Sequence, residues 1–339
     1  MDQKYKYLKY KSKYSQLKKQ TGGENNNNIL LESQTKKFAE SLKDVTPIYK
    51  LDPTGARNAL NKMQEDRSYL SMVDTEDFTI SSETVSVPIT IFRPKNNKNI
   101  LKAAMFFHGG GWVMGNKQTH GRLISEIVIG ANIAIVFIDY TLAPDAQFPT
   151  QINQCYLATQ YISTNAGAHN LDASKLIVMG DSVGGGMATA IALISTQNDG
   201  PKIYRQMLFY PVIDATMKTE SYKKYKNGPW LSKMSMEWFF DAYAPDKNVR
   251  SNILISPLNA TPEQLKNLPD GLVIVDENDV LRDEGKEYAH KLMDSGVVVI
   301  AVEYLGTHHD FLMLDSLKDT PVSINARNLI INYIINALQ

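Results

Sequence analysis

The sequence predicts an α/β fold, with a mostly parallel central sheet and helices on both of its faces. From Phe78 onward, short apolar runs alternate with segments of helical spacing, and most of those runs are continuously apolar. A strand with no polar alternation has both faces buried, which is the situation inside a parallel sheet covered on each side by helices. The chain has 339 residues, of which 43% are hydrophobic and 21% charged, so it is long and apolar enough for one large domain.

Residues 1–28 read as an appendage. Lysines and tyrosines dominate KYKYLKYKSKYSQLKKQ, which runs into Gly22, Gly23 and the asparagines Asn25 to Asn28, a linker by composition. Tyr7, Tyr10, Tyr14 and Leu17 share a helical stripe flanked by lysines. That stripe suits a short coiled-coil seam, a membrane-surface helix, a docking tag or a solvated basic tail. Residues 29–74 are expected to be helical. Leu30, Leu31, Phe38 and Leu42 are spaced for one face, Pro53 and Gly55 act as breaks, and a second helix follows around Ala56 to Asp66. With no strand before them to pack on, these helices are assigned to a cap.

After Phe78, an alternating run from Thr84 to Phe92 is followed by the apolar runs Ala103–Phe107, Ile133–Ile138, Leu176–Met179, Met207–Tyr210, Leu272–Val275 and Val297–Val302. Between the last two, Leu281, Gly285, Tyr288 and Leu292 keep helical spacing before Gly296, and Ile324–Leu338 predicts a closing helix. Residues 214–257 break the alternation and carry Trp230, Met234, Trp238, Phe239 and Tyr243. Such a stripe is ordinary core material. Because it follows a strand's carboxyl end, where α/β proteins bind ligands, it also suits a second part of the cap lining an apolar cleft.

Charge and cysteine content narrow the function classes. Residues 1–23 hold seven lysines and one aspartate, so at zero net charge overall the remainder carries about −6 by subtraction. That body offers no nucleic-acid footprint. The single cysteine, Cys155, leaves no internal disulfide and no cysteine-rich metal site, and its spacing with Ile152, Tyr156 and Ile162 marks it as core. No apolar run approaches the roughly 18 residues of a membrane span, and the N-terminus lacks the apolar centre of a signal peptide. An intracellular location is therefore expected.

Chemistry enters where strands end. Gly180-Asp181-Ser182-Val183-Gly184 lies between an apolar run and a run of small and apolar residues, the form of a strand–turn–helix nucleophile elbow. Taken bare, the pattern is more often a structural turn than a nucleophile. Upstream, a strand runs into His108-Gly109-Gly110-Gly111-Trp112. Consecutive glycines weaken a strand, but they free a backbone to turn its N–H groups toward one point, as an oxyanion hole requires. Neither GK[ST] nor a helix-opening GxGxxG accompanies them, so a nucleotide loop is disfavoured. Downstream come the acids Asp276, Asp279 and Asp283 after one strand, and His308 and His309 after the next. A serine nucleophile needs a base, the base needs an orienting acid, and the order serine, acid, histidine is that of the α/β-hydrolases.

HGGGW at 108–112, DYTLAPDAQFP at 139–149, GDSVGGG at 180–186, GPWLSKMSMEWFFDAYAP at 228–245, DVLRDEG at 279–285 and HHDF at 308–311 all occur in order. Through them, residues 30–339 resemble the hormone-sensitive-lipase-like carboxylesterases, the bacterial family IV type of the α/β-hydrolase superfamily. The resemblance implies an α/β-hydrolase fold with a helical cap formed by 29–74 and 214–257. It implies Ser182 as nucleophile, Asp279 as triad acid and His309, three residues after Gly306, as base. Backbone donors at Gly110, Gly111 and Val183 would face the oxyanion. Trp112, Trp230, Met234 and Trp238 are candidates for the pocket. Two departures stand out: Val183 where alanine is usual, and Asp310 where glycine is common after the histidine. The N-terminal tail resembles basic tyrosine-rich N-termini of giant amoeba-infecting DNA viruses, which implies virion association.

The expected activity is hydrolysis of small apolar carboxylic esters through an acyl-enzyme, with no cofactor or metal, and the resemblance implies a homodimer. Amide or deacetylation chemistry on a small metabolite would use the same triad. A silent ligand-binding homologue is the contrasting reading, and the presence of His309 argues against it.

Overall fold

Eight strands form one sheet in the computed structural model, which describes residues 29–339. The strands are β1 (Val73–Ser81), β2 (Ser86–Pro94), β3 (Leu101–Phe107), β4 (Ala134–Ile138), β5 (Leu171–Asp181), β6 (Ile203–Phe209), β7 (Gly271–Asp276) and β8 (Val299–Tyr304). Their order is β1-β2-β4-β3-β5-β6-β7-β8. β1 and β2 form an antiparallel hairpin, β2 pairs antiparallel with β4, and every other pairing is parallel.

Every residue of β4 and of β7 is buried. Since successive side chains point to opposite faces, helices must cover the sheet on both sides. The helices are α1 (Ser33–Ser41), α2 (Pro53–Met63), α3 (Lys117–Ala131), α4 (Thr150–Asn165), α5 (Val183–Gln197), α6 (Glu220–Lys224), α7 (Lys233–Tyr243), α8 (Pro262–Leu265), α9 (Arg282–Asp294) and α10 (Pro321–Leu338). α3 packs on α10, while α4 packs on α5. Residues Leu31–Gln339 cluster as one unit, and Cys155 is fully buried on α4.

Three sequence expectations change. Pro53 does not break the chain but opens α2 at its first position, where a missing N–H costs nothing, and Gly55 lies inside that helix with its N–H donated to the Asp52 cap at 2.6 Å. The run Val297–Val302 is shifted and only half covered: β8 is the sheet edge, and Ile300 is 48% exposed. An apolar run therefore does not by itself tell an edge strand from a central one. The expected cap segment 29–74 also reaches past its helices into the start of β1 at Val73.

Among the described residues, no helix is long and apolar enough to cross a membrane. The expectations for the basic tail and linker, residues 1–28, lie outside the described residues.

Candidate active site

β5 delivers Ser182 into a sharp turn that begins α5. Its backbone sits at φ +55°, ψ −123°, a conformation that side chains rarely adopt and that persists only where the surroundings impose it. Here they do. Ser182 donates its N–H to the Phe209 carbonyl at 2.8 Å, and its own carbonyl accepts from Gly185 and Val212 at 3.0 Å. The turn is closed by backbone contact: a Cβ at Gly184 would collide with the Phe107 carbonyl at the end of β3.

The loop after β3 is held against this turn by a side chain that sequence reasoning passed over. Asp181 is fully buried; one carboxylate oxygen accepts from the Gly109 N–H at 3.0 Å and the other lies 3.2 Å from His120 Nε2. Burial opposes its charge, but His120, followed by His108 and the Gly109 N–H, outweighs it and keeps the carboxyl below its ordinary range. The signal available in the sequence was an acid placed at the end of an apolar strand, where only a partnered carboxylate is tolerated.

Gly110 and Gly111 then turn through φ +98° and +64°. Their amides, like that of Val183, have no hydrogen-bond partner among the described residues. Side chains are excluded at both glycines, by the Met114 carbonyl at Gly110 and by the Phe239 ring at Gly111.

His309 completes a chain of hydrogen bonds. Its Nε2 is 2.9 Å from Ser182 Oγ and its Nδ1 is 2.7 Å from Asp279 Oδ2, all three residues being buried. Asp279 is steadied by the Leu281 N–H at 3.1 Å, and the loop carrying His309 by the Gly306 N–H, donated to Glu277 at 2.8 Å. The Tyr210 ring packs on the imidazole in a T-shaped contact with centroids 4.8 Å apart. Burial works against an imidazolium at His309, but Asp279, and after it Asp310, outweigh that and raise its pKa above the ordinary histidine value.

The rival residues sit elsewhere. His308 is buried against Phe38, and burial lowers its pKa to about 4, leaving a neutral packing residue. Asp283 accepts the Ser221 N–H at 2.7 Å and pairs with Arg282. Asp276 is fully buried with neither oxygen hydrogen-bonded, and burial followed by the Asp279 charge pushes its pKa well up. One ligand atom each from Asp276, Asp279 and His309 lies within 4.8 Å of the others. A cation there would compete for His309, whose two ring nitrogens already face Asp279 and Ser182.

Above Ser182 lies a cavity of about 420 Å³. Gly110, Gly111, His309 and Asp310 line it beside the serine. Apolar side chains wall it, including Leu42, Ile48, Leu60 and Met63 from the N-terminal segment and Trp230, Met234 and Phe239 from the segment around α7. Two of the expected pocket residues are absent from this wall. Trp112 has φ +61°, which turns its ring into the core, stacked on Tyr243 at 4.1 Å. Trp238 is half-buried one step around α7, where the face toward the cavity runs through Ser235 and Phe239. Asp310, a departure noted in the sequence, also proves to accept a hydrogen bond from Trp230 Nε1 at 2.8 Å.

A model of the alpha/beta hydrolase fold matches residues 104–313. A chain of Acanthamoeba polyphaga mimivirus assigned to the alpha/beta hydrolases is 47% identical over 338 residues, covering 98% of this chain and 97% of its own. An ethyl acetate hydrolase of Pseudomonas putida is 32% identical over 235 residues, 68% of this chain and 73% of its own. The crystal structure of a thermostable esterase from Pseudomonas putida ECU1011 superposes with a TM-score of 0.89 at 39% identity, covering 94% of this chain and 99% of that one. With the family model spanning more than half of its length, and the eight-stranded sheet carrying the matching motifs, this chain belongs to the α/β-hydrolase family.

Proposed function

We propose that the protein hydrolyses carboxylic esters through an acyl-enzyme, with Ser182 as nucleophile, His309 as base and Asp279 as the acid that orients it. The observation that carries this reading is the unbroken hydrogen-bond chain from Asp279 through His309 to Ser182 on the floor of an apolar cavity. The esterase and ester-hydrolase names of several relatives support the choice of ester as substrate.

In this mechanism His309 Nε2 takes the Ser182 proton as Oγ attacks the ester carbonyl. Asp279 holds Nδ1–H and stabilises the imidazolium. The amides of Gly110, Gly111 and Val183 receive the tetrahedral oxyanion, and their freedom from other partners leaves them preorganised for it. The imidazolium protonates the leaving alkoxide, and water repeats the sequence on the acyl-enzyme. The segment before β1, residues 29–72, and the segment 214–257 act as the cap, with short to medium acyl chains held among Leu42, Ile48, Leu60, Met63 and Phe239.

A fluorophosphonate probe is expected to label the protein stoichiometrically, with the adduct on the peptide containing Ser182. An unlabelled, folded protein would contradict the assignment and favour a silent binding homologue.

The base must be neutral to act, so activity falls as pH drops through its pKa. Because the carboxylates beside His309 raise that pKa, the acidic limb of the kcat/KM profile is expected above about pH 6.5, the ordinary histidine value. A limb at or below that value would show that the charges around His309 do not act as described.

A further inference from the structure

Asp310 occupies an unusual place for a carboxylate. It lines the apolar cavity, is only 8% exposed, and lies with Oδ1 3.4 Å from Nε2 of His309. Oδ2 accepts from the Trp230 indole, while Oδ1 has no hydrogen-bond partner. Oδ1 is itself buried beside His309, whereas Oδ2 holds a single donor and, since a carboxylate oxygen can accept about two hydrogen bonds, keeps room for another. The group is also locked in place. Trp230 is packed against Phe38, with centroids 5.5 Å apart, and its N–H fixes the carboxylate.

Nε2 of His309 therefore has the nucleophile on one side, at 2.9 Å, and Asp310 on another. During ester cleavage the leaving oxygen has to approach that same nitrogen to be protonated. A hydroxyl on the adjacent carbons of the alcohol lies within about one hydrogen-bond length of the leaving oxygen, and so within reach of Asp310. The rest of the wall offers apolar surface suited to an acyl chain.

Resting on the ester-hydrolysis reading, we propose that Asp310 determines specificity on the alcohol side. It selects partial esters of diols and polyols, in which a free hydroxyl neighbours the ester oxygen, by accepting a hydrogen bond from that hydroxyl. A simple alkyl ester puts a methyl or methylene against the carboxylate and leaves its remaining acceptor site desolvated and without a donor, which is the arrangement that discriminates most strongly between otherwise similar substrates.

The experiment compares kcat/KM for 2-hydroxyethyl butyrate and propyl butyrate, which differ by a hydroxyl in place of a methyl group, at one pH by proton release. Wild type is expected to prefer the hydroxylated ester by about tenfold or more, the scale of one hydrogen bond to a charged group. Asp310→Asn and Asp310→Gly are expected to bring the ratio close to one. Both residues tolerate the φ of +65° found at this position, so folding is expected to survive. Each ratio is internal to one enzyme, so any change in the basicity of His309 acts on both substrates and cancels. A wild-type ratio near one, or an unchanged ratio in both variants, overturns the proposal while leaving ester hydrolysis intact. If wild type cleaves neither these esters nor p-nitrophenyl butyrate, the ester-hydrolysis reading falls with it.

Discussion

Replacing Ser182 with alanine is expected to lower kcat for p-nitrophenyl butyrate by on the order of a millionfold, the scale seen when a nucleophile of this kind is removed. The serine side chain accounts for the hydrogen bond to His309 and caps nothing in α5. The melting temperature is therefore expected to stay within a few degrees of wild type. Substituting His309 as well should add little, because nucleophile and base act as one unit and losing either removes the same step. The measurement is kcat of Ser182→Ala, His309→Ala and the double variant under identical conditions. Roughly additive losses would mean that the two residues do not cooperate.

Asp279→Asn is expected to cost on the order of ten-thousandfold in kcat. Asp279 Oδ2 accepts from Nδ1 of His309 at 2.7 Å, which requires the proton on Nδ1 and leaves Nε2 free to receive the serine proton. An amide nitrogen in that position donates instead and favours the tautomer whose Nε2 already carries hydrogen. Asp276 supplies the internal comparison. It lies close to the same pair, but burial pushes its pKa well up and neither of its oxygens is hydrogen-bonded, so Asp276→Asn should change kcat by less than about tenfold. Comparable losses in the two variants would shift the orienting role to the pair of acids as a unit.

Much of this site was legible in the sequence because its parts are local. A strand end, a glycine run and a serine between glycines are each short, and their order along the chain matches the order of strands whose carboxyl ends meet at one edge. The choice among Asp276, Asp279 and Asp283 is not open to spacing alone: all three fall within eight residues at the end of β7, and only the path of the loop brings Asp279 to His309. Trp112 adjoins the glycine run that faces Ser182, yet a positive φ, invisible in the residue's identity, turns its ring into the core. Trp238 failed for a related reason, since a short helix shows which residues are apolar but not which edge of the stripe meets the cavity. The pairing of Trp230 with Asp310 spans 80 positions and joins two loops, a contact that only the folded sheet creates. Asp181 illustrates the opposite case. It stands inside the most visible motif, and its role in fixing the Gly109 amide was hidden by the serine beside it.

The most direct test is to quench the protein in acid during turnover of p-nitrophenyl butyrate and map the attached acyl group by mass spectrometry. A butyryl group on the peptide containing Ser182, appearing within one turnover and absent from Ser182→Ala, is the result expected of a serine acyl-enzyme. Turnover with no acylated protein, or with acylation at another residue that persists in Ser182→Ala, would contradict it.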